Sequence, residues 1–137
     1  MFKITTEAIQ PDALHEWLCK PHHGAVVTFA GLVRDHTDSR ATARLEYEAF
    51  EEMAEKKLRE VGDEIRERWQ IEDVAMIHRL GVLEIGEISI LIAVAAPHRK
   101  HVFEACSYAI DRVKQVVPIW KKEVWKDGEA EWVENRL

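Results

Sequence analysis

Cysteine is scarce: Cys19 and Cys106 are the two in the chain. Two thiols make neither a disulfide framework nor a four-thiolate metal site. Six glycines and four prolines gather into no linker. No phosphate-cradling Gly-rich loop and no nucleophile-elbow serine is present. Long apolar runs are also missing. The longest, Ile88 to Ala96, is broken by Ser89 and falls far short of the ~20 residues that a membrane span needs. Met1 to Glu7 is mixed and polar, unlike a secretory leader. A cytoplasmic, reducing setting is expected, with no membrane partner. Net positive charge is lacking too. Lys plus Arg number 19 against 25 Asp plus Glu, giving −6. That opposes wholesale binding of duplex nucleic acid, which needs a basic footprint.

What remains is an ordinary globular composition. The hydrophobic fraction is 47% and the charged fraction 32% over 137 residues. One domain, spanning residues 1–137, is expected, and no repeat or low-complexity tract argues otherwise. Phe2 to Thr5 reads as a short strand. Pro11 opens a helix through Leu14, Trp17 and Leu18. Ala25 to Val33 is β-rich, Arg34 to Arg40 is a polar loop, and Leu45, Tyr47 and Ala49 alternate with Glu46 and Glu48 as in a strand. Glu51 to Trp69 has helical apolar spacing. Val74–His78 and Glu87–Val94 read as strands joined through Gly81 and Gly86. Pro97 is read as opening a second long helix that runs to about Val117, stopped by Pro118. Asp127-Gly128 between strand-like flanks marks a hairpin. The order favours an α+β fold with an antiparallel sheet and packed helices.

The charge is unevenly spread. Residues 97–126 hold seven Lys or Arg against three Asp or Glu, a net of +4, which leaves −10 for the rest. His98 and Arg99 fall in the expected first turn after Pro97, where free N–H groups and the helix dipole suit an anion. The cluster as a whole points to a small, phosphate-bearing ligand, although any single lysine here reads first as a solvated residue. Lys114 and Lys121 bracket Pro118, so spacing alone fixes no distance between them. A lysine beside another cation has a lowered pKa and can serve as base or nucleophile. Cys106, on the apolar helix face, reads as a small buried hydrophobe, and Cys19 as a spectator. His78 reads as a hydrogen-bonded core histidine. His22-His23 has metal-ligand chemistry but no third ligand in sight, so no metal and no cofactor is expected. Trp120, Trp125 and Trp132 read as packing, with a subunit interface second. A non-catalytic sensor of a phosphorylated metabolite and a single-stranded RNA binder using Trp120 and Trp125 are the competing classes.

Several motifs in order then carry a resemblance. Gly24-Ala25-Val26-Val27-Thr28-Phe29-Ala30-Gly31-Leu32-Val33-Arg34, Leu45-Glu46-Tyr47-Glu48-Ala49-Phe50, Ile77-His78-Arg79-Leu80-Gly81, Pro97-His98-Arg99 with Phe103-Glu104-Ala105, and Lys114 with Pro118-Ile119-Trp120-Lys121-Lys122-Glu123 are together similar to the large, catalytic subunit family of molybdopterin synthase. The resemblance spans about Gly24 to Val133. It implies an α/β hammerhead fold and a homodimer, with a small ubiquitin-like sulfur-carrier subunit docked on each copy to give a heterotetramer. The implied reaction converts cyclic pyranopterin monophosphate (precursor Z) into molybdopterin, using two sulfurs from the carrier's C-terminal thiocarboxylate to form a dithiolene. Asn135-Arg136-Leu137 is no diglycine, so this chain is not expected to be the carrier. By position, the resemblance makes Lys114 and Lys121 the active-site lysines. Lys114 is assigned to covalent or proton-transfer work at the carrier's terminal carbonyl, and Lys121 to supporting substrate and charge. It makes Arg34, His98 and Arg99 contacts to phosphate and pterin, with Leu32, Val33, Lys122 and Glu123 flanking them. It also implies a pocket near the dimer interface that draws on both copies. The Asp35–Thr42 loop and the tail after Val133 look short for the family.

Overall fold

The computed structural model describes residues 1–133; the short tail after Val133 lies outside the described residues, so the single-domain span is followed that far. The chain runs β1 (Phe2–Thr5), α1 (Pro11–Leu18), β2 (Ala25–Leu32), β3 (His36–Thr37), β4 (Arg40–Ala49), α2 (Glu51–Trp69), β5 (Asp73–Arg79), β6 (Gly81–Glu84), β7 (Ile88–Ala96), α3 (Val102–Val116), β8 (Ile119–Trp125) and β9 (Ala130–Val133). One sheet has the order β1-β5-β7-β2. The other has the order β3-β4-β8-β9, with β6 on the free edge of β4. This is an α+β arrangement, as expected.

The strand β7 explains the layering. All its residues from Ser89 to Ala96 are buried, because both faces of the first sheet are covered. On one face α2 and α3 bury Leu58, Val61, Ile65, Val102 and Val113 in the main core with Ile90, Ile92 and Val94. On the other, α1 packs Leu14 and Leu18 against Leu91, Ala93 and Ala95. A strand buried on both sides loses its alternation, which is why Ile88–Ala96 reads as a nearly continuous apolar run.

Three features differ from the sequence reading. The first sheet is not wholly antiparallel: β1 pairs with β5 in parallel, Phe2 opposite Met76. The long excursion between the two strands makes a parallel return possible. Gly81 to Glu84 is a strand rather than a connection, pairing Val82 and Leu83 with Glu46 and Leu45; four residues are too few to show a period. The Arg34–Arg40 loop contains β3, a tight hairpin with β4 that turns through Asp38 at φ 54°.

The hairpin at Asp127-Gly128 forms as read. Gly128 takes φ 93° and the Trp125 N–H donates to the Glu129 carbonyl at 2.8 Å. Gly24, just before β2, is required by close approach. Its N–H donates to the Ala96 carbonyl at 3.0 Å, and a β-carbon there would collide with the Pro97 carbonyl. Gly24→Ala is therefore expected to cost about 1–3 kcal/mol, read as a lower urea midpoint at an unchanged slope.

Candidate active site

A pocket opens where the two sheets meet the C-terminal end of α3. Its empty space, open mouth included, is about 540 Å³. Leu32 and Arg34 reach it from the end of β2, Tyr47 from β4, Lys114 from the last turn of α3, and Lys121 and Glu123 from β8. The proline that ends α3 explains why the two lysines meet. Pro118 stops the helix and the chain reverses directly into β8, with the Ile119 N–H donating to the Val117 carbonyl at 2.9 Å. Lys114 and Lys121 thus face one cavity from two elements.

The electrostatics follow from that geometry. Burial draws the Lys114 ammonium down to about 8, and the neighbouring Lys121 charge acts in the same direction. Burial also lowers Lys121, while Glu123 opposes the shift and Arg34 reinforces it. Three cations and one carboxylate share the pocket, an excess of positive charge suited to an anionic ligand. A partly desolvated amine with a pKa near neutrality suits proton transfer or nucleophilic attack.

Glu123 is 3% exposed, and its position is set by hydroxyls. Thr37 Oγ1 donates to Glu123 Oε2 at 2.7 Å and Thr42 Oγ1 donates to the same oxygen at 2.6 Å. These bonds fasten the β3–β4 hairpin to the side of the pocket, which gives the short Asp35–Thr42 segment a structural task. Sequence reasoning missed both threonines, because nothing local links them to a glutamate more than eighty residues away. Tyr47 had a signal: it shares the buried face of β4 with Leu45, alternating with Glu46 and Glu48.

The other residues expected at the site lie elsewhere in a single chain. Val33 is 2% exposed and belongs to the core, although its flanks Leu32 and Arg34 reach the pocket. Lys122 points to the opposite side of β8 from Lys121. Its Nζ is 3.9 Å from Glu46 Oε1 and lies over the Trp132 ring. His98 and Arg99 are exposed and outside this chain's pocket. They also do not lie in a helical first turn. The helix α3 starts at Val102, and Pro97 to His101 form bends and a turn that end with His101 at φ 71°. The cause is β7, which stays paired with β2 through Ala96 opposite Ala25; the chain needs those residues to reverse from strand into helix.

The remaining sequence readings resolve simply. Cys106 is buried, and burial pushes its thiol up to about 11, as fits an inert core residue. Trp125 is buried, but Trp120 and Trp132 are 45% and 56% exposed. The burial of Trp125 removes the stacking pair that RNA binding would use.

His78 is 1% exposed and donates from Nδ1 to the Arg79 carbonyl at 2.8 Å. Burial lowers its pKa to about 4, and Lys114 adds to the lowering. The folded state therefore keeps a neutral imidazole. As pH falls from 6.5 to 4 the unfolded chain takes up a proton that the folded chain refuses, so stability is lost across that window. The full shift corresponds to about 3 kcal/mol. Urea unfolding of the wild type should show this acid-side slope, and the His78→Gln variant should show it flattened.

Comparison with known proteins agrees with this architecture. The family model described as "MoaE protein" matches residues 4–116. The molybdopterin synthase catalytic subunit of Staphylococcus carnosus is 54% identical over 132 residues, covering 96% of this chain and 87% of that protein. Its Bacillus subtilis counterpart is 48% identical over 136 residues, covering 99% and 86%. The crystal structure of molybdopterin synthase from Staphylococcus aureus superposes with a TM-score of 0.91 at 48% identity, covering 96% of both chains. With this agreement in sequence, length and fold, the chain belongs to the MoaE family, alongside the molybdopterin synthase catalytic subunits.

Proposed function

We propose that this chain is the catalytic subunit of a molybdopterin synthase and acts as a sulfurtransferase on a phosphorylated pterin. The carrying observation is the convergence of Arg34, Lys114 and Lys121 on one pocket. In this reading Arg34 and Lys121 hold the anionic groups of cyclic pyranopterin monophosphate, with Leu32 at the rim and Glu123 setting the lysine geometry. The sulfur arrives on a small carrier subunit whose C-terminal thiocarboxylate enters the pocket. Its sulfur bonds to a pterin side-chain carbon as the oxygen on that carbon leaves, as the ester oxygen of the cyclic phosphate at one carbon and as water at the other. Water adds to the carrier's acyl carbon as its carbon–sulfur bond breaks, returning the carrier as a carboxylate. Two such deliveries complete the dithiolene. Lys114 works at the acyl carbonyl, moving the proton or attacking the carbon directly, and the flanking cations stabilise the developing oxyanion.

A homodimer accounts for the remaining family positions. β2 has β7 as its sheet neighbour, and its other edge is unpaired among the described residues. Phe29 and Leu32 on that strand are 37% and 57% exposed, and Phe103, on the helix α3 that packs against β2, is 67% exposed. A second copy covering this face brings its own exposed His98 and Arg99 toward the pocket mouth, while Val33, in the core, and Lys122, beside Glu46, stay outside the pocket. Among the described residues no helix is long and apolar enough to cross a membrane, and we place the reaction in the cytoplasm. The test is reconstitution: mix the chain with a thiocarboxylated carrier and precursor Z, and assay dithiolene formation. Product that depends on both partners is expected. Carrier binding without product would overturn the reading.

A further inference from the structure

The fold supplies the third ligand that His22-His23 lacks in the sequence. Asp73, at the start of β5, faces the turn between α1 and β2. His23 Nε2 lies 2.7 Å from Asp73 Oδ2, and His22 Nε2 lies 3.8 Å from the same oxygen. All three ligand atoms lie within 4.8 Å of one another. We propose that His22, His23 and Asp73 form a divalent transition-metal site, with zinc as the best-matched ion, remote from the pterin pocket.

The surroundings are those of a metal site rather than of a chance surface cluster. His23 is almost fully buried, with its side chain 3% exposed, and donates from Nδ1 to the Leu18 carbonyl at 2.5 Å. With Nδ1 committed to Leu18, Nε2 carries the proton of its 2.7 Å bond to Asp73 Oδ2, and a metal would displace that proton, leaving the Nδ1–H to carbonyl bond usual for metal-bound histidines. Asp73 is oriented in the same way: Lys20 Nζ donates to Oδ1 at 2.6 Å, leaving Oδ2 turned toward both imidazoles. Zinc bonds of 2.0–2.2 Å in a tetrahedron put ligand atoms about 3.3 Å apart. The 2.7 and 3.8 Å separations straddle that value and all three atoms lie within 4.8 Å, so side-chain rotations that close the His22–His23 gap bring all three onto one ion.

Two imidazoles and one carboxylate suit zinc and exclude calcium or magnesium as the preferred ion, since those select all-oxygen shells. The exposed His22 leaves the fourth position to water. The Lys20 charge and the Met1 ammonium, which also faces Asp73, oppose a cation, so micromolar affinity is expected. A bound ion ties the Lys20–Gly24 turn to β5. It thereby anchors the start of β2, the strand whose far end carries Leu32 and leads to Arg34.

The competing arrangement is a proton on Nε2 in place of the metal, and the nearby Cys19–His15 pair, 3.2 Å apart, is a competing zinc ligand set. The test is a zinc titration of the full chain near neutral pH, read by competition with a chromogenic chelator and by the ¹⁵N resonance of His23 Nε2. One saturable site per chain is expected, with a shifted Nε2 resonance. His22→Ala, an exposed position in a turn, removes a direct ligand and should weaken binding by more than the about 10–100-fold that loss of an outer partner costs, and Cys19→Ser should leave it unchanged. The proposal is overturned if the wild type shows no saturable zinc binding, if His22→Ala binds like the wild type, or if Cys19→Ser abolishes binding.

Discussion

Lys114→Ala is expected to lower turnover by about 10²–10⁴-fold, the range for losing a positioned proton-transfer group, while leaving the fold and carrier docking intact. Lys114 faces a cavity, and its backbone sits in a helix whose core contacts come from Val102, Ala109 and Val113. Truncation therefore removes chemistry rather than packing. Lys114→Arg makes the sharper comparison. Arginine keeps the charge but does not deprotonate in the working range, so it should stay near the alanine level if the neutral amine acts. Recovery of activity by arginine would mean that the position contributes charge alone. Single-turnover assays with saturating carrier separate this from weakened binding, because the loss should fall on kcat rather than on KM. A sensor of phosphorylated metabolites predicts no turnover to lose in either variant.

The pH profile carries the second large effect. With the Lys114 amine at about 8, the neutral form is scarce at pH 6 and dominant at pH 9. The rate should rise through an inflexion near 8 and then level. Lys121 is one of the two causes of the lowering, so Lys121→Ala should move the inflexion upward toward the ordinary lysine value. On the proposed role of Lys121 in holding substrate charge, the same variant should raise KM for the phosphorylated pterin by about 10-fold or more, the loss of one charge-assisted contact. An unchanged inflexion in Lys121→Ala would show that the two lysines do not share a field. The direction matters: a group acting in its protonated form would give a falling limb instead.

The parts of this molecule that can be read locally were readable. Glu51–Trp69 has an apolar stripe at helical spacing, and the helix occupies those residues. Asp127-Gly128 demands a turn, and the chain turns there. Readability failed where a partner distant in sequence decides. β6 is four residues long and exists because β4 offers a free edge. The start of α3 is delayed past Pro97 by the pairing of β7 with β2, which no helical signal encodes. The pocket was half legible. The lysines bracketing Pro118 marked it, but only the reversal from α3 into β8 shows that both face one cavity. The hydroxyl pair that holds Glu123 and the carboxylate opposite His22-His23 both come from residues some fifty or more positions away, and such contacts leave no trace in spacing.

A crystal structure of the carrier-free chain with a phosphorylated pterin, or with sulfate as a stand-in for its phosphate, probes the cation pocket most directly. Anion density bonded to Arg34 and Lys121, with Lys114 facing the pterin, is the predicted result. A pterin seated elsewhere on the molecule, with those three side chains in contact with solvent alone even in the symmetric dimer, would contradict it.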